Sequence, residues 1–444
     1  MTGRLPVLWL YGTVGVGKTT VGWELFASLP EPAGYVDIDQ LGMCYGPPTP
    51  DSPAPEPAYD PGRHRMKARN LDAVAANFRA AGARCLVVPG VVDPDRGPWA
   101  EPLPHAALTA LRLHADPADL RKRVARRGRP TDDLDEILDY AEALARLPGP
   151  HLDTTGRDVP EVVRLIRQQI GPWPAPAGPA SAPTSATAPT SAPTSAAAPT
   201  SAPTSAAAPT SAAAPASAAA PASAAAPASA AAVDLDRGRP LARDDRGQPI
   251  GAADGFASCG RPGEIILLCG PTGIGKSTVG WAIYQQLLRS GQRTAFVDLD
   301  QIGFRRPVSA GNHRLKAANL AALWETYAAE GARRLVAVGP VCAAAVATYR
   351  AALPSARFTL CRLTATPATL ADRVRARGRG ESPAVGLAGD LLAGQSAAVL
   401  DRIIRESVRD AGELERTGVG DFAIETDGRP PTDLAADILR RATP

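Results

Sequence analysis

Apolar residues recur along this chain in short runs of strand length, separated by longer stretches in which they return at helical spacing. In the first part the runs fall at 5–11, 34–38, 84–89, 108–114 and 151–153. In the second they fall at 264–269, 294–299, 333–338, 357–364 and 422–425. Strands alternating with helices in this way predict an α/β fold. The expected architecture is a doubly wound, parallel five-stranded sheet flanked by helices, built twice.

Between the two sets the pattern collapses. From about Pro172 to Ala232 the chain is almost wholly Ala, Pro, Ser and Thr, and a polar stretch continues to Pro262. Such a segment has nothing large to bury against its ordering entropy, and its prolines interrupt helix. It predicts a disordered linker over 172–262 between a first domain at 1–171 and a second at 263–444. A flexible coil of ~60 residues spans roughly 40 Å. Each half, with its own set of strands, is expected to fold alone.

The flanking halves repeat each other. YGTVGVGKTTVGWEL (11–25) matches LCGPTGIGKSTVGWAI (268–283), YVDIDQLG (35–42) matches FVDLDQIG (296–303), and HRMKARNL (64–71) matches HRLKAANL (313–320). Order is kept and only loops differ in length, which reads as a tandem duplication. Of five lysines in an Arg-rich chain, four are Lys18, Lys67, Lys276 and Lys316, two matched pairs in the repeat. That placement points to a required ammonium group.

Gly12-x-x-x-x-Gly17-Lys18-Thr19 and Gly270-x-x-x-x-Gly275-Lys276-Ser277 each follow an apolar strand and open a helix, the setting of a phosphate-binding loop. Gly15 and Gly273 let the loop turn its N–H groups inward, and Thr20 and Thr278 continue the anion cradle at the helix start. Lys18 and Lys276 are the expected phosphate contacts, with ATP as ligand. The hydroxyls of Thr19 and Ser277 are expected on Mg²⁺.

Asp37 and Asp39, and Asp298 and Asp300, are spaced two apart. Period two puts both side chains on one face at the carboxyl end of a strand, beside the ligand crevice, unless one of them caps the next helix. Arg65, Lys67, Arg314 and Lys316 then precede helical runs, where they could meet an anionic acceptor or simply be solvated. Arg123, Arg126, Arg127 and Arg129 follow the fourth strand of the first half, and Arg373, Arg375, Arg377 and Arg379 that of the second, with Arg123/Arg373 and Arg127/Arg377 aligned between copies.

A phosphate loop, a DxD closing the second strand, a basic segment and an Arg-rich stretch after the fourth strand resemble, in that order, the small-molecule kinases acting on shikimate, gluconate and adenylylsulfate. The resemblance implies a metal-side role for Asp37 and Asp298 and an acceptor-side role for Asp39 and Asp300. It also implies that this arginine run, from Arg123 and Arg373 onward, forms a lid in which Arg127 and Arg377 neutralise the transferring phosphoryl group. The turns Asp153-Thr154-Thr155-Gly156 and Glu425-Thr426-Asp427-Gly428 would lie near the nucleotide base. Shikimate kinases carry a glycine triplet after the third strand, where this chain has Pro89-Gly90-Val91 and Gly339-Pro340-Val341, so shikimate is not the predicted acceptor. Asp93 follows the third strand in the first half and could serve Mg²⁺. The second half has Cys342 there, which makes it the candidate degenerate copy.

The formal charge of +3 argues against nucleic acid as a partner. The six cysteines form no CxxC and no zinc spacing, and they read as buried free thiols of a reducing compartment. No apolar run reaches the ~18 residues of a membrane span, and the first strand does not read as a signal peptide, so a cytoplasmic protein is expected. Two functions compete. One is an ATP- and Mg²⁺-dependent phosphotransferase with a small hydroxyl-bearing acceptor. The other is a non-catalytic ATP-binding switch.

Overall fold

The computed structural model describes residues 3–47, 61–101, 103–125, 133–174, 258–307, 312–381 and 392–442. The first half runs β1 (Leu5–Tyr11), α1 (Lys18–Ala27), β2 (Ala33–Tyr35), a 3₁₀ turn (Ile38–Gly42), β3 (Cys44–Tyr45), α2 (Pro61–Ala80), β4 (Leu86–Gly90), β5 (Ala106–His114), α3 (Pro117–Ala125), α4 (Asp133–Ala145), β6 (His151–Asp153) and α5 (Val159–Ile170). The second runs β7 (Gly263–Cys269), α6 (Lys276–Arg289), β8 (Thr294–Asp298), β9 (Phe304–Arg306), α7 (His313–Ala329), β10 (Arg334–Val338), α8 (Ala343–Ala352), β11 (Ala356–Thr364), α9 (Pro367–Gly378), α10 (Ala397–Arg416), β12 (Phe422–Glu425) and α11 (Pro431–Ala442). Residues 175–257, most of the predicted linker, lie outside the described residues.

All ten predicted strands form, in two mostly parallel sheets flanked by helices. The orders are β6-β5-β1-β4-β2-β9 and β12-β11-β7-β10-β8-β3. The central strands β1, β4, β7, β8 and β10 are buried on both faces over most of their length, which is why their sequences are continuous apolar runs and not alternations. β1 lies between β4 and β5, and β7 between β10 and β11. The loops after β1 and β7 therefore leave the sheet where strand order reverses, the position of a ligand crevice.

The sheets differ from expectation in having six strands rather than five. The sixth is antiparallel and comes from the other half. β9 pairs with β2, Tyr35 opposite Phe304 and Ala33 opposite Arg306. β3 pairs with β8, Cys44 opposite Ala295 and Tyr45 opposite Thr294. Both inserted strands follow the DxDQxG segment of their own half, so the exchange is reciprocal. At two and three residues they are too short to leave a pattern in the sequence. They satisfy the edge N–H and C=O groups that β2 and β8 would otherwise expose.

Side chains follow the strands across. The Phe304 ring lies 5.0 Å from that of Trp23 and 6.0 Å from that of Tyr35. Arg306 donates to the Phe26 carbonyl at 3.1 Å and pairs with Glu31 at 3.2 Å. In return, Met43 is buried in the apolar cluster around Tyr284 and Phe296, and its carbonyl accepts from the Phe296 N–H at 2.8 Å. α2 packs on α7, where Asn77 Nδ2 donates to Asn319 Oδ1 at 3.0 Å. One apolar cluster runs from Trp9 and Phe78 in the first half to Trp324 and Tyr327 in the second.

The expectation that each half folds alone therefore meets a shared core. Separation would expose two sheet edges and uncover Met43 and Tyr327, side chains whose burial contributes ~1.5–3 kcal/mol each. Fragments 1–171 and 263–444 expressed separately are expected to be mostly insoluble. Co-expressed, they should co-purify as a soluble pair. Two fragments that are soluble and monomeric by analytical ultracentrifugation would show that the exchange contributes little.

Candidate functional site

Each glycine loop turns into its helix through a left-handed residue, Gly17 at φ 94° and Gly275 at φ 99°, a conformation that side chains disfavour. The next residue is the lysine. Lys18 Nζ donates to the Thr13 carbonyl at 2.9 Å; Lys276 Nζ donates to those of Gly270 and Pro271 at 3.0 and 2.9 Å. Both ammonium groups thus lie across the mouth of their loop. Burial pulls the Lys276 ammonium below the ordinary lysine range, against the nearby charges of Asp300 and Asp298 and with that of Arg377. Those three side chains and Lys276 share one electrostatic environment. Arg127, with Arg126 and Arg129, lies outside the described residues.

Arg123 and Arg373 do not behave as lid residues. Arg123 donates to the Gly15 carbonyl at 3.4 Å and to the Thr154 hydroxyl and carbonyl at 3.2 and 2.6 Å. Arg373 repeats this at Ile274 and Thr426, each bond 2.9 Å. They brace the glycine loop from behind against the turn after the fifth parallel strand of each half. Their guanidinium groups are engaged by backbone and hydroxyl rather than aimed at a ligand.

The acid pairs are also placed differently from expectation. β2 ends at Tyr35, so Asp37 and Asp39 do not share a strand face. Asp37 caps the 3₁₀ turn, its Oδ1 accepting from the Asp39 N–H at 2.9 Å. In the second half β8 reaches Asp298, whose Oδ1 accepts from the Asp300 N–H at 2.9 Å. A short polar side chain that bonds the backbone two residues on turns the chain out of the strand. Both pairs still stand at the carboxyl edge of the sheet. Ser277 Oγ lies 3.3 Å from Asp298 Oδ2, a hydroxyl and a carboxylate together. Such oxygen donors suit a hard cation of the Mg²⁺ type. Burial first, and then Asp300, push the Asp298 carboxyl up to about 6.

The turn carrying these acids is clamped by one stripe of the following helix. Arg63, Lys67 and Asn70 are spaced i, i+4, i+7 on α2, and Asn312, Lys316 and Asn319 occupy the same spacing at the start of α7. Lys67 Nζ meets Asp39 Oδ1 at 2.7 Å, and Lys316 Nζ meets Asp300 Oδ1 at 2.7 Å. Asn70 Nδ2 donates to the Leu41 carbonyl at 2.6 Å, and Asn319 Nδ2 to that of Ile302 at 2.7 Å. Arg63 donates to the carbonyls of Gly42 and Cys44 at 2.9 and 3.0 Å; Asn312 reaches those of Gly303 and Arg305, both at 3.2 Å. Arg63 and Asn312 were missed in the sequence because they look unlike. Their shared place just before His-Arg-x-Lys was the available signal. Arg65 and Arg314, one residue beyond each histidine, are exposed instead, with the Arg65 guanidinium 5.2 Å over the Trp99 ring.

The surroundings of Asp39 and Asp300 are not equal. The Asp39 side chain is 16% exposed and that of Asp300 is 45% exposed. Asp93 in the first half is buried, and its carboxylate accepts from the N–H groups of Asp95 and Arg96 and from Trp99 Nε1. It closes its own loop, which argues against the metal role considered for it. His64 and His313 flank the clamping lysines. Burial, reinforced by Lys67 and Lys316 respectively, pushes each imidazole down to about 4. Cys342 is exposed, unlike the buried thiol expected there.

No protein-family model matches this sequence, and no curated protein does. Solved structures match over about one half of the chain. The Deinococcus radiodurans tunicamycin resistance protein is 21% identical at TM-score 0.30, covering 38% of this chain and 96% of its own. Shikimate kinase from Acinetobacter baumannii is 22% identical at TM-score 0.28, covering 40% and 92%. A gluconokinase from Sinorhizobium meliloti is 20% identical at TM-score 0.28, covering 41% and 94%. Likeness at this level carries no argument about chemistry. The two sheets with their glycine loops are consistent with two P-loop-like domains. No helix among the described residues is long and apolar enough to cross a membrane.

Gly42 and Gly303 test the clamp. A Cβ at either would land inside the van der Waals envelope of the Lys67 or Lys316 stem. Gly42→Ala is expected to cost ~1–3 kcal/mol, as overpacking does. In the Gly42→Ala/Lys67→Ala double variant the two penalties should be clearly less than additive by denaturant melts. Full additivity would mean that the lysine stem is not what the glycine accommodates.

Proposed function

We propose that the protein is an ATP-dependent phosphotransferase acting on a small hydroxyl-bearing molecule, with one site in each of two duplicated halves. The observation that supports this most is the convergence of Lys276, Ser277, Asp298 and Asp300 at one sheet edge, with a matched set at Lys18, Thr19, Asp37 and Asp39. The glycine loop and helix N-terminus offer N–H groups and partial positive charge to the phosphates. Lys18 and Lys276 follow the β- and γ-phosphates, with Arg377 adding charge on the transferring side in the second half. Thr19 with Asp37, and Ser277 with Asp298, are the oxygen donors for Mg²⁺, which when bound neutralises charge between the phosphates.

Asp39 and Asp300 would orient the acceptor hydroxyl and take its proton. Lys67 and Lys316 hold those carboxylates in place. The same ammonium groups favour an acceptor with an anionic or strongly hydrogen-bonding substituent beside the reacting hydroxyl. A second reading, an ATP-binding switch, draws support from the strand exchange, which ties each acid turn to the other half. The two separate on whether ATP turnover needs a co-substrate, read as acceptor-stimulated ADP release from a metabolite library.

Titration calorimetry is expected to give about two ATP per chain in the presence of Mg²⁺, with Lys18→Ala and Lys276→Ala each removing one. A single site in the unaltered protein would remove the claim for one half. Asp39→Asn should slow phosphoryl transfer by ~100-fold or more while ATP affinity stays within a few-fold. Equal loss of both would assign Asp39 to the metal or to structure.

A further inference from the structure

We infer that Cys342, in the loop between β10 and α8, is a modification site: a base-assisted thiol that reacts with peroxide-class oxidants and soft electrophiles. Cys342 is the exposed one among the chain's six cysteines. Its Sγ lies 3.8 Å from His313 Nε2, and His313 Nδ1 lies 3.0 Å from the hydroxyl of Tyr349. Tyr349 is fully buried and holds the ring from behind. A nucleophile, a base within reach and a third group orienting the base form the arrangement that activates side-chain nucleophiles. In the tautomer with Nδ1–H donating to the tyrosine oxygen, Nε2 presents its lone pair to the thiol. Burial and Lys316 hold the ring neutral beside the thiol, and a thiolate formed 3.8 Å away would in turn favour the protonated ring. Cys342 also immediately precedes the ten-residue α8, whose first N–H groups favour negative charge on the sulfur.

The other thiols lack this setting. Burial pushes Cys85, Cys259 and Cys269 up to about 11 and Cys361 higher still. Cys259 faces the Glu325 carboxylate at 3.1 Å rather than a base that could be protonated beside a thiolate. In the first half the position matching Cys342 is Asp93, so the chemistry is confined to the second half. In the reaction with hydrogen peroxide, the thiol proton passes to His313 Nε2 and the sulfur pair attacks one peroxide oxygen. The O–O bond breaks, and the departing hydroxide takes the proton from the imidazolium as water. Sulfur is oxidised to the sulfenic acid and the peroxide is reduced. The thiol chemistry does not rest on the phosphotransferase reading.

The test uses the full native chain and dithiobis-nitrobenzoate. One fast thiol equivalent is expected, absent in Cys342→Ser. His313→Gln should slow the reaction by about fivefold or more. Tyr349→Phe, which breaks the same chain of contacts but keeps the base, should slow it by a smaller factor and serves if His313→Gln does not fold. After peroxide, dimedone trapping and peptide mass spectrometry should place the adduct on Cys342. A fast equivalent that persists in Cys342→Ser, or an unaltered rate in the folded His313 and Tyr349 variants, overturns the proposal. None of these readouts needs phosphoryl transfer. A chain without acceptor-stimulated ADP release that still shows the fast, His313-dependent thiol would refute the proposed function and leave the modification site standing.

Discussion

The contact between an ammonium and a carboxylate at 2.7 Å, made by Lys67 with Asp39 and by Lys316 with Asp300, is the constraint on which the rest of the molecule hangs. The lysine ends are nearly out of water, so each needs its acid partner. Removing one partner of a buried pair leaves a stranded charge, at ~3–5 kcal/mol, which applies to Lys67 with Asp39 and less to Lys316, whose partner is nearly half exposed. The pair fixes the turn after the second strand of each half, and that turn decides where the chain goes next. With Arg63 or Asn312 holding its far carbonyls, the backbone leaves its own sheet and enters the other one. Local electrostatics, the path of the chain and the closure of both sheets are one connected problem.

The halves solve it with unequal parts. A buried guanidinium stacked 3.7 Å over the Tyr45 ring does in the first what a left-handed asparagine does in the second. In the first half Asp39 is kept largely from solvent. In the second, Asp300 is nearly half exposed. On the phosphotransferase reading proposed above, the two matched loops would face surroundings of different access, which suits two acceptors of different size better than one acceptor bound twice.

What the sequence disclosed was whatever repeats strongly or runs long. Ten apolar runs became ten parallel strands, most plainly in mid-sheet, where burial on both faces demands unbroken apolar sequence. The glycine loops, the four matched lysines and the acids were visible because their chemistry restricts residue type. What stayed hidden was relational. β3 and β9 are too short to show periodicity, and their partners are hundreds of residues away, so no local pattern could reveal the exchange. Asp37 was read on a strand because period two looks the same whether or not the strand ends at Tyr35. Arg123 and Arg373 were read as lid residues because sequence spacing cannot tell a charge aimed at a ligand from one that braces backbone.

The crossing of the two strands also changes what inheritance can do with such a chain. A repeated unit is usually free to drift, since one copy can lose a function while the other keeps it. Here Met43 is core to the half that contains Asp298, and Phe304 packs in the half that contains Asp37. A change that suits one half is felt in the other, so the two are bound to change together, and the loss of one would uncover part of the other's core.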